Sequence, residues 1–228
     1  MNSFKILLSA SLLALAAASA SAQTYGSWTD SPPPPGTESY VHNQQFNLNN
    51  NWSNLNVTVD TVGGDVVGRG AAAGNMVDVT TMNNTYVSNN QNVGSDAAIG
   101  SNINMNVNKV WGSVGIQNQV VCNGIGVSTD PVFTSVNSNQ ECHATDPYSQ
   151  INTNIANVAG DAVVQGSALG NSLETDSNAP NLPILNRQIN TSASVSNVTG
   201  NVFNVGGSVG FSSSAIGNSA QVIHYGTH

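Results

Sequence analysis

Side chains able to do acid–base, nucleophilic or metal chemistry are few in this chain and widely spaced. The four histidines are His42, His143, His224 and His228. His224 and His228 stand four apart, which on a helix would put both on one face. Gly226 and Thr227 between them are weak helix formers, so no metal site is expected there. Cys122 and Cys142 lie within one 21-residue segment. The first expectation for two such cysteines in an exported chain is a structural disulfide. The alternative, a metal site with the adjacent His143, lacks a fourth ligand at the usual spacing. Asp65 and Asp161 each follow a glycine, Gly64 and Gly160. Aspartates at equivalent turns could donate oxygens to calcium, but calcium needs several converging ligands. The Gly-Gly-x-Gly-x-Asp nonapeptide of calcium-binding solenoids is absent, so both are read as solvated turn residues. There is no Gly-x-Ser-x-Gly elbow and no phosphate-cradling glycine loop. A polysaccharide lyase or hydrolase groove would gather acids with Arg or Lys, yet only Arg69, Lys109 and Arg187 follow the N-terminal leader. The expectation is a chain that is not an enzyme and takes no cofactor and no metal. Trp52 and Trp111 remain as candidates for surface recognition, because an outward indole stacks on a sugar ring. Trp111 is expected to point away from the Val110/Gly112/Val114 face, with packing under a loop as the plainer role.

The elements that must position these residues follow from composition. Charged residues make up 7% of the chain and the formal net charge is −8. Asparagine occurs 34 times. With so little charge, the surface must meet water through amides and hydroxyls. Asn, Gly, Ser, Thr and Val are weak helix formers, whereas Val, Ile and Thr favour pleated structure. The acidic balance leaves no basic patch for a phosphate backbone, which argues against nucleic acid, or for an anionic membrane surface. Lys5 precedes an apolar stretch from Ile6 to about Ala18, followed by Ser19-Ala20-Ser21-Ala22. This pattern predicts a signal peptide over 1–22, cleaved before Gln23, and hence a secreted chain at or beyond the outer-membrane surface. Residues 23–50 read as a Pro-rich linker, carrying the stiff run Pro32 to Pro35. The repeat β domain is expected over 51–228.

That domain repeats. Asn56–Val66, Asn104–Val114, Asn152–Ala162 and Ser192–Val202 share polar-x-polar-[Val/Ile]-x-x-Val-x-Gly-x-[Val/Ala], with starts 48, 48 and 40 residues apart. Each is followed by Ala-x-Gly-Asn, at Gly74-Asn75, Gly170-Asn171 and Gly217-Asn218. In the second repeat Cys122-Asn123 takes that place, and the fourth repeat carries about seven extra residues. The glycines of the first block are Gly64, Gly112, Gly160 and Gly200. All these Gly and Asn positions are read as turns, since both residues tolerate positive φ. Alternation in Val110-x-Gly112-x-Val114-x-Ile116 has the period of a strand. Like units that each have one apolar face bury it by stacking. The fold class expected is therefore all-β, an Asn/Gly/Val-rich parallel β-solenoid with two rungs to each 48-residue repeat. A β-sandwich is the alternative. Asparagines at equal positions could hydrogen-bond along the stack as an amide ladder. The segment Val121–Asn157, with Pro131, Pro147 and both cysteines, reads as a loop ejected from the stack. Pro180 and Pro183 mark a second excursion.

The Ala-x-Gly-Asn recurrences, the Asn/Gln/Val/Thr-rich repeats and the leader resemble the holdfast-anchor proteins of stalked alphaproteobacteria. Gln165-Gly-Ser-Ala-Leu-Gly-Asn-Ser172 is also similar in style to the repeats of curli-type fibre subunits. The resemblance covers roughly Asn54 to Val222. It implies secretion across the outer membrane, a place on the cell surface, and a role in adhesion, biofilm or an amyloid-like matrix. The partners it implies are further copies, other surface anchor proteins or polysaccharide. A secreted carbohydrate- or protein-binding β module without self-assembly is the alternative.

Overall fold

A computed structural model describes residues 39–130 and 133–225. The predicted signal peptide, Pro32 to Pro35, Pro131 and His228 lie outside the described residues. The described residues form a parallel β-solenoid of twelve strands in three four-stranded sheets. Sheet A holds β1 (Ser39–Asn47), β4 (Thr85–Val93), β7 (Thr134–Cys142) and β10 (Ile184–Asn190). Sheet B holds β2 (Asn51–Val62), β5 (Ala98–Val110), β8 (Thr145–Val158) and β11 (Val195–Val205). Sheet C holds β3 (Val66–Thr81), β6 (Val114–Thr129), β9 (Ala162–Ser177) and β12 (Val209–His224). Every third strand pairs with its predecessor, and all pairs are parallel.

One 48-residue repeat is thus one rung of three long strands, not the two rungs expected. Sheet C shows why: its strands run 16 residues each, so one circuit consumes a whole repeat. Each sheet C strand bends at the column Gly74, Cys122, Gly170 and Gly217, where pairing skips a residue. Before the bend it faces sheet B across an aliphatic core that includes Ile103, Met105, Ile116, Ile151, Ile155 and Val164. Beyond the bend it faces sheet A, where Val87, Ile125, Val136 and Leu173 form a smaller cluster.

Two further expectations fail. Val121–Asn157 is not ejected: it supplies part of β6, all of β7 and most of β8. Pro147 is buried in β8 beside a register irregularity, a place in a sheet that tolerates a residue without an N–H donor. β1 from Ser39 also stands in the stack, inside the segment assigned to the linker. The inward residues of β1 are Val41, Asn43, Gln45 and Asn47, largely polar, so no apolar alternation marks the strand.

Candidate functional site: internal amide ladders

The Asn of each Ala-x-Gly-Asn motif is not at a corner. Asn75, Asn123 and Asn171 are buried within sheet C strands. Asn75 Nδ2 donates to Asn123 Oδ1 at 2.9 Å, Asn123 to Asn171 at 2.8 Å, and Asn171 to Asn218 at 2.8 Å. The second N–H of each reaches across the interior to a sheet A carbonyl: Asn92, Glu141 and Ile189 respectively. Each side chain therefore ties its own rung to the next and closes sheet C on sheet A. This is the amide ladder the repeat suggested, placed inside rather than at a turn.

A second ladder faces it from sheet A. Gln91 Nε2 donates to Gln45 Oε1 at 2.9 Å, Gln140 to Gln91 at 3.0 Å, and Gln188 to Gln140 at 2.9 Å. Their other N–H groups reach the carbonyls of Met76, Gly124, Ser172 and Ser219. The two ladders run in opposite directions. Asparagines donate toward the C-terminal rung and glutamines toward the N-terminal rung, so the amide dipoles offset one another. Sequence reasoning missed the glutamines. The signal was present as [Val/Ile]-x-[Asn/Ser]-x-Gln at Val41–Gln45, Val87–Gln91, Val136–Gln140 and Ile184–Gln188.

Cys122 and Cys142 form a disulfide, with Cα atoms 6.0 Å apart. Its position follows the bend column. A Cβ on Gly74 would meet Val93, and one on Gly170 would meet Asn190, each on the next rung of sheet A. Cys142 stands in the same column as Val93 and Asn190. The bridge thus makes covalent a contact that glycine provides in other rungs.

The true turns join sheets B and C at Gly64, Gly112, Gly160 and Gly207. A Cβ on Gly112 would meet Asp65 and the Gly64 backbone, and one on Gly160 would meet Ser113 and Gly112. Glycine is needed there because the turn of the preceding rung lies underneath. Gly200 is not one of these turns. It sits inside β11 opposite Thr153, and its missing side chain makes room for the ring of Phe211. Thr199–Val209 fits the repeat pattern as well as Ser192–Val202 does, and the structure uses Thr199–Val209, with starts 47 residues from Asn152. The extra residues inferred before Gly217 then vanish, since Gly207 to Gly217 has the same ten-residue offset as Gly64 to Gly74. Positive φ occurs at Thr61, Lys109, Asn157 and Asn204 (φ 60°, 54°, 55° and 54°), one per rung at the end of sheet B, and not at the motif asparagines.

Asp65 and Asp161 cap the rung above: each accepts, through Oδ1, the backbone N–H of Ser113 or Ser208 at 2.7 Å. Ser113 Oγ accepts the Asp161 N–H at 3.2 Å. His143 Nδ1 pairs with Thr191, and its Nε2 lies 3.6 Å from Glu141. His224 contacts the Ala179 carbonyl. Among the described residues, no three His, Cys, Asp or Glu side chains cluster as metal ligands would. Glu141 has its carboxyl held below the ordinary range by the hydrogen bond from Arg187 Nη1, 2.6 Å away.

Trp52 lies over Gly100 on the outer face of sheet B and is 54% exposed. Trp111 projects from the far turn, 67% exposed. Gly100 and Trp111 are eleven residues apart along one strand direction, roughly 36 Å at about 3.3 Å per residue, so the two indoles do not form one site. Between them the outer face carries asparagine columns, including Asn56–Asn104–Asn152 and Asn106–Asn154–Asn201, each donating to the preceding rung.

The chain matches no protein-family model, no curated protein and no solved structure.

Proposed function

We propose that this chain is a structural subunit of a bacterial cell surface, an extracellular anchor or matrix protein whose task is mechanical rather than catalytic. The observation that supports the reading is the pair of internal ladders. They run through every rung, so separating one rung from the next means breaking backbone and side-chain hydrogen bonds in all three sheets together. A rod so cross-linked suits load-bearing and display. The leader at 1–22 fits export, and the Cys122–Cys142 bridge is compatible with an oxidising compartment. Deleting the gene in its host, with surface attachment and matrix retention as readouts, tests this. Loss of attachment restored by the wild-type chain is expected, and unchanged attachment and matrix would count against the reading.

A second reading, a secreted carbohydrate- or protein-binding module, draws on the exposed rings of Trp52 and Trp111. It expects glycan binding that a Trp111→Ala variant loses; a glycan array with no binding would remove it.

A further inference from the structure

The two ends of sheet C differ. Each of its strands leans on the sheet B strand of the following rung as well as on that of its own. A Cβ on Gly68 would meet Met105 and Leu55, and one on Gly166 would meet Val198, Ser196 and Ser149. The inward face of β3 is therefore covered within the chain, with Val66, Ala72, Asn75 and Val79 all buried. β12 has no following rung. Val209, Phe211 and Val222 are 48%, 40% and 50% exposed, although their register partners Ala162, Val164 and Thr175 are buried. Among the described residues no strand pairs with the outer edge of β12. Proteins usually guard such an edge with charge or proline. Val209–His224 contains no Asp, Glu, Lys, Arg or Pro.

The bend makes this strand complementary to itself. Before Gly217 the inward residues carry odd numbers, Val209 to Ala215. Beyond it they carry even numbers, Asn218 to His224, and each is in register with a buried residue of β9. The bend lies at the middle of the 16-residue strand, at the Ile216–Gly217 bond. When the strand is laid antiparallel on a second copy about that bond, Phe211 comes opposite Val222, Ser213 opposite Ala220 and Ala215 opposite Asn218. Inward residues then meet inward residues, whereas the same pairing of an unbent strand would set inward against outward. The backbone agrees. The N–H groups of Val114 and Ala162 donate to Asp161 and Ser208 of the next rung, at 2.8 and 2.9 Å. Val209 stands in their column, so its N–H faces the open edge. At the other end the Tyr225 N–H donates back to Ser177 at 3.0 Å, which by alternation turns that of His224 toward the open edge. On both sides of the bend, the backbone groups facing the edge thus belong to the inward residues. In the antiparallel pairing these residues exchange both N–H···O bonds.

We propose that β12 pairs antiparallel with β12 of a second copy about the Ile216–Gly217 bond, joining two chains at their last rungs. Sheet C then runs without interruption through both copies. Phe211 of each packs beside Val222 of the other, in an interior that the two copies share. No carboxylate occurs in residues 184–225, so the joint buries none. Because the same surface is used twice about a two-fold axis, the contact closes as a dimer and does not propagate. The dimer goes beyond the function proposed above and does not depend on it.

Ser212 and Gln221 are exposed outward residues that this pairing sets opposite each other. Theirs would be a non-hydrogen-bonded pair with Cα atoms about 4.5 Å apart, within disulfide range. Within one copy they stand nine residues apart on β12, roughly 30 Å at about 3.3 Å per residue, so only a second copy can bridge them. Mild oxidation of the purified S212C/Q221C chain is expected to give covalent dimers whose joints map to 212–221 linkages. Val222→Lys in that background should reduce the covalent dimer at least tenfold without moving the melting temperature of the monomer, since the side chain is half exposed within one copy. Ala220→Lys, also exposed and opposite Ser213 in the joint, should do the same and serves if Val222→Lys misfolds. Joints of the 212–212 or 221–221 kind, a ladder of higher multimers, dimers unaffected by both lysines, or no dimers at all would each overturn the proposal. The last result would leave the edge to be covered by residues 23–38 or by another protein. Attachment lost on gene deletion alongside no dimers would sink this inference while leaving the structural reading standing.

Discussion

Between sheet B and the first half of sheet C the interior is mostly aliphatic: Ile103, Met105, Ile116, Ile151, Ile155 and Val164 pack there, with one buried amide, Asn118, bonded to the Ser101 and Gln150 carbonyls. Between sheet A and the second half of sheet C, a band of buried amides crosses the interior beside a smaller apolar cluster. The same rungs pass through both compartments, so the contrast isolates what each chemistry contributes. Aliphatic side chains gain from burial in almost any arrangement of similar volume, at about 25 cal/mol per Å². They stabilise the stack but distinguish poorly between one rung pairing and a shifted one. An amide in the ladder is satisfied only by its equivalent on the next rung. A slip would leave buried donors and acceptors unpaired at about 1–3 kcal/mol each. In a chain whose rungs resemble one another, slippage is the main competing state. The aliphatic compartment supplies stability, and the amide compartment selects the register.

Two large effects would sharpen this contrast, the first from Ile151→Ala in the third rung. Ile151 is fully buried in the aliphatic compartment, and truncation should cost about 2–5 kcal/mol in a denaturant titration. The register reported by inter-rung NMR contacts should not change. Gln140→Met, close in size, removes the bonds to Gln91, Ser172 and Gln188. It leaves Gln91 Oε1, the Ser172 carbonyl and one Gln188 N–H short of a partner, at about 1–3 kcal/mol for each that stays buried. Its cost should therefore match or exceed that of Ile151→Ala, and here the amide spectrum should become heterogeneous as alternative pairings gain population. Equal spectral quality in the two variants would erase the distinction. At the corner where the aliphatic compartment closes, Thr61 holds φ 60°, a conformation that a β-branched residue resists. Thr61→Gly should raise stability by about 1 kcal/mol, read as a higher denaturation midpoint. The smallest effect lies on the outer surface of the amide compartment. Glu141 has a depressed carboxyl pKa through Arg187, so its contribution is present above the ordinary carboxylate value and is lost as pH falls through the depressed one. Stability should therefore decline slightly below about pH 4.5, and less so in Glu141→Gln, as followed by midpoints across pH 3–7.

The aliphatic compartment was also the legible one. Val and Ile at fixed offsets from a glycine marked the strands of sheets B and C, and the spacing of 48 follows from the rung. The Cys122–Cys142 pairing and the idea of an asparagine ladder were legible too. Sheet A was not, because Asn43, Gln45, Asn89, Gln91, Ser138 and Gln140 point inward and defeat any pattern of apolar alternation. The rung count was misjudged for a related reason: without sheet A, the two recognisable blocks of a repeat look like two short rungs. Gly200 was assigned to a turn because two overlapping stretches fit the repeat pattern, and only the pairing of Val202 with Ile155 decides between them. Gly64, Gly112 and Gly160 were read as turns but Gly207 was not, and the left-handed corner was missed, since Thr61 and Lys109 are residues that rarely adopt that conformation.

Side-chain amide hydrogen exchange measures the division of labour most directly. The NH₂ groups of Asn123 and Gln140 should exchange as slowly as the backbone amides of Ile151 and Ile103, because only cooperative opening exposes them. Those of Asn104 and Asn154, bonded to the preceding rung but on the outer face, should exchange much faster, because solvent reaches them without opening of the stack. Fast exchange at Asn123 and Gln140 would contradict the account, because the amides that are said to select the register would then not be held inside the stack.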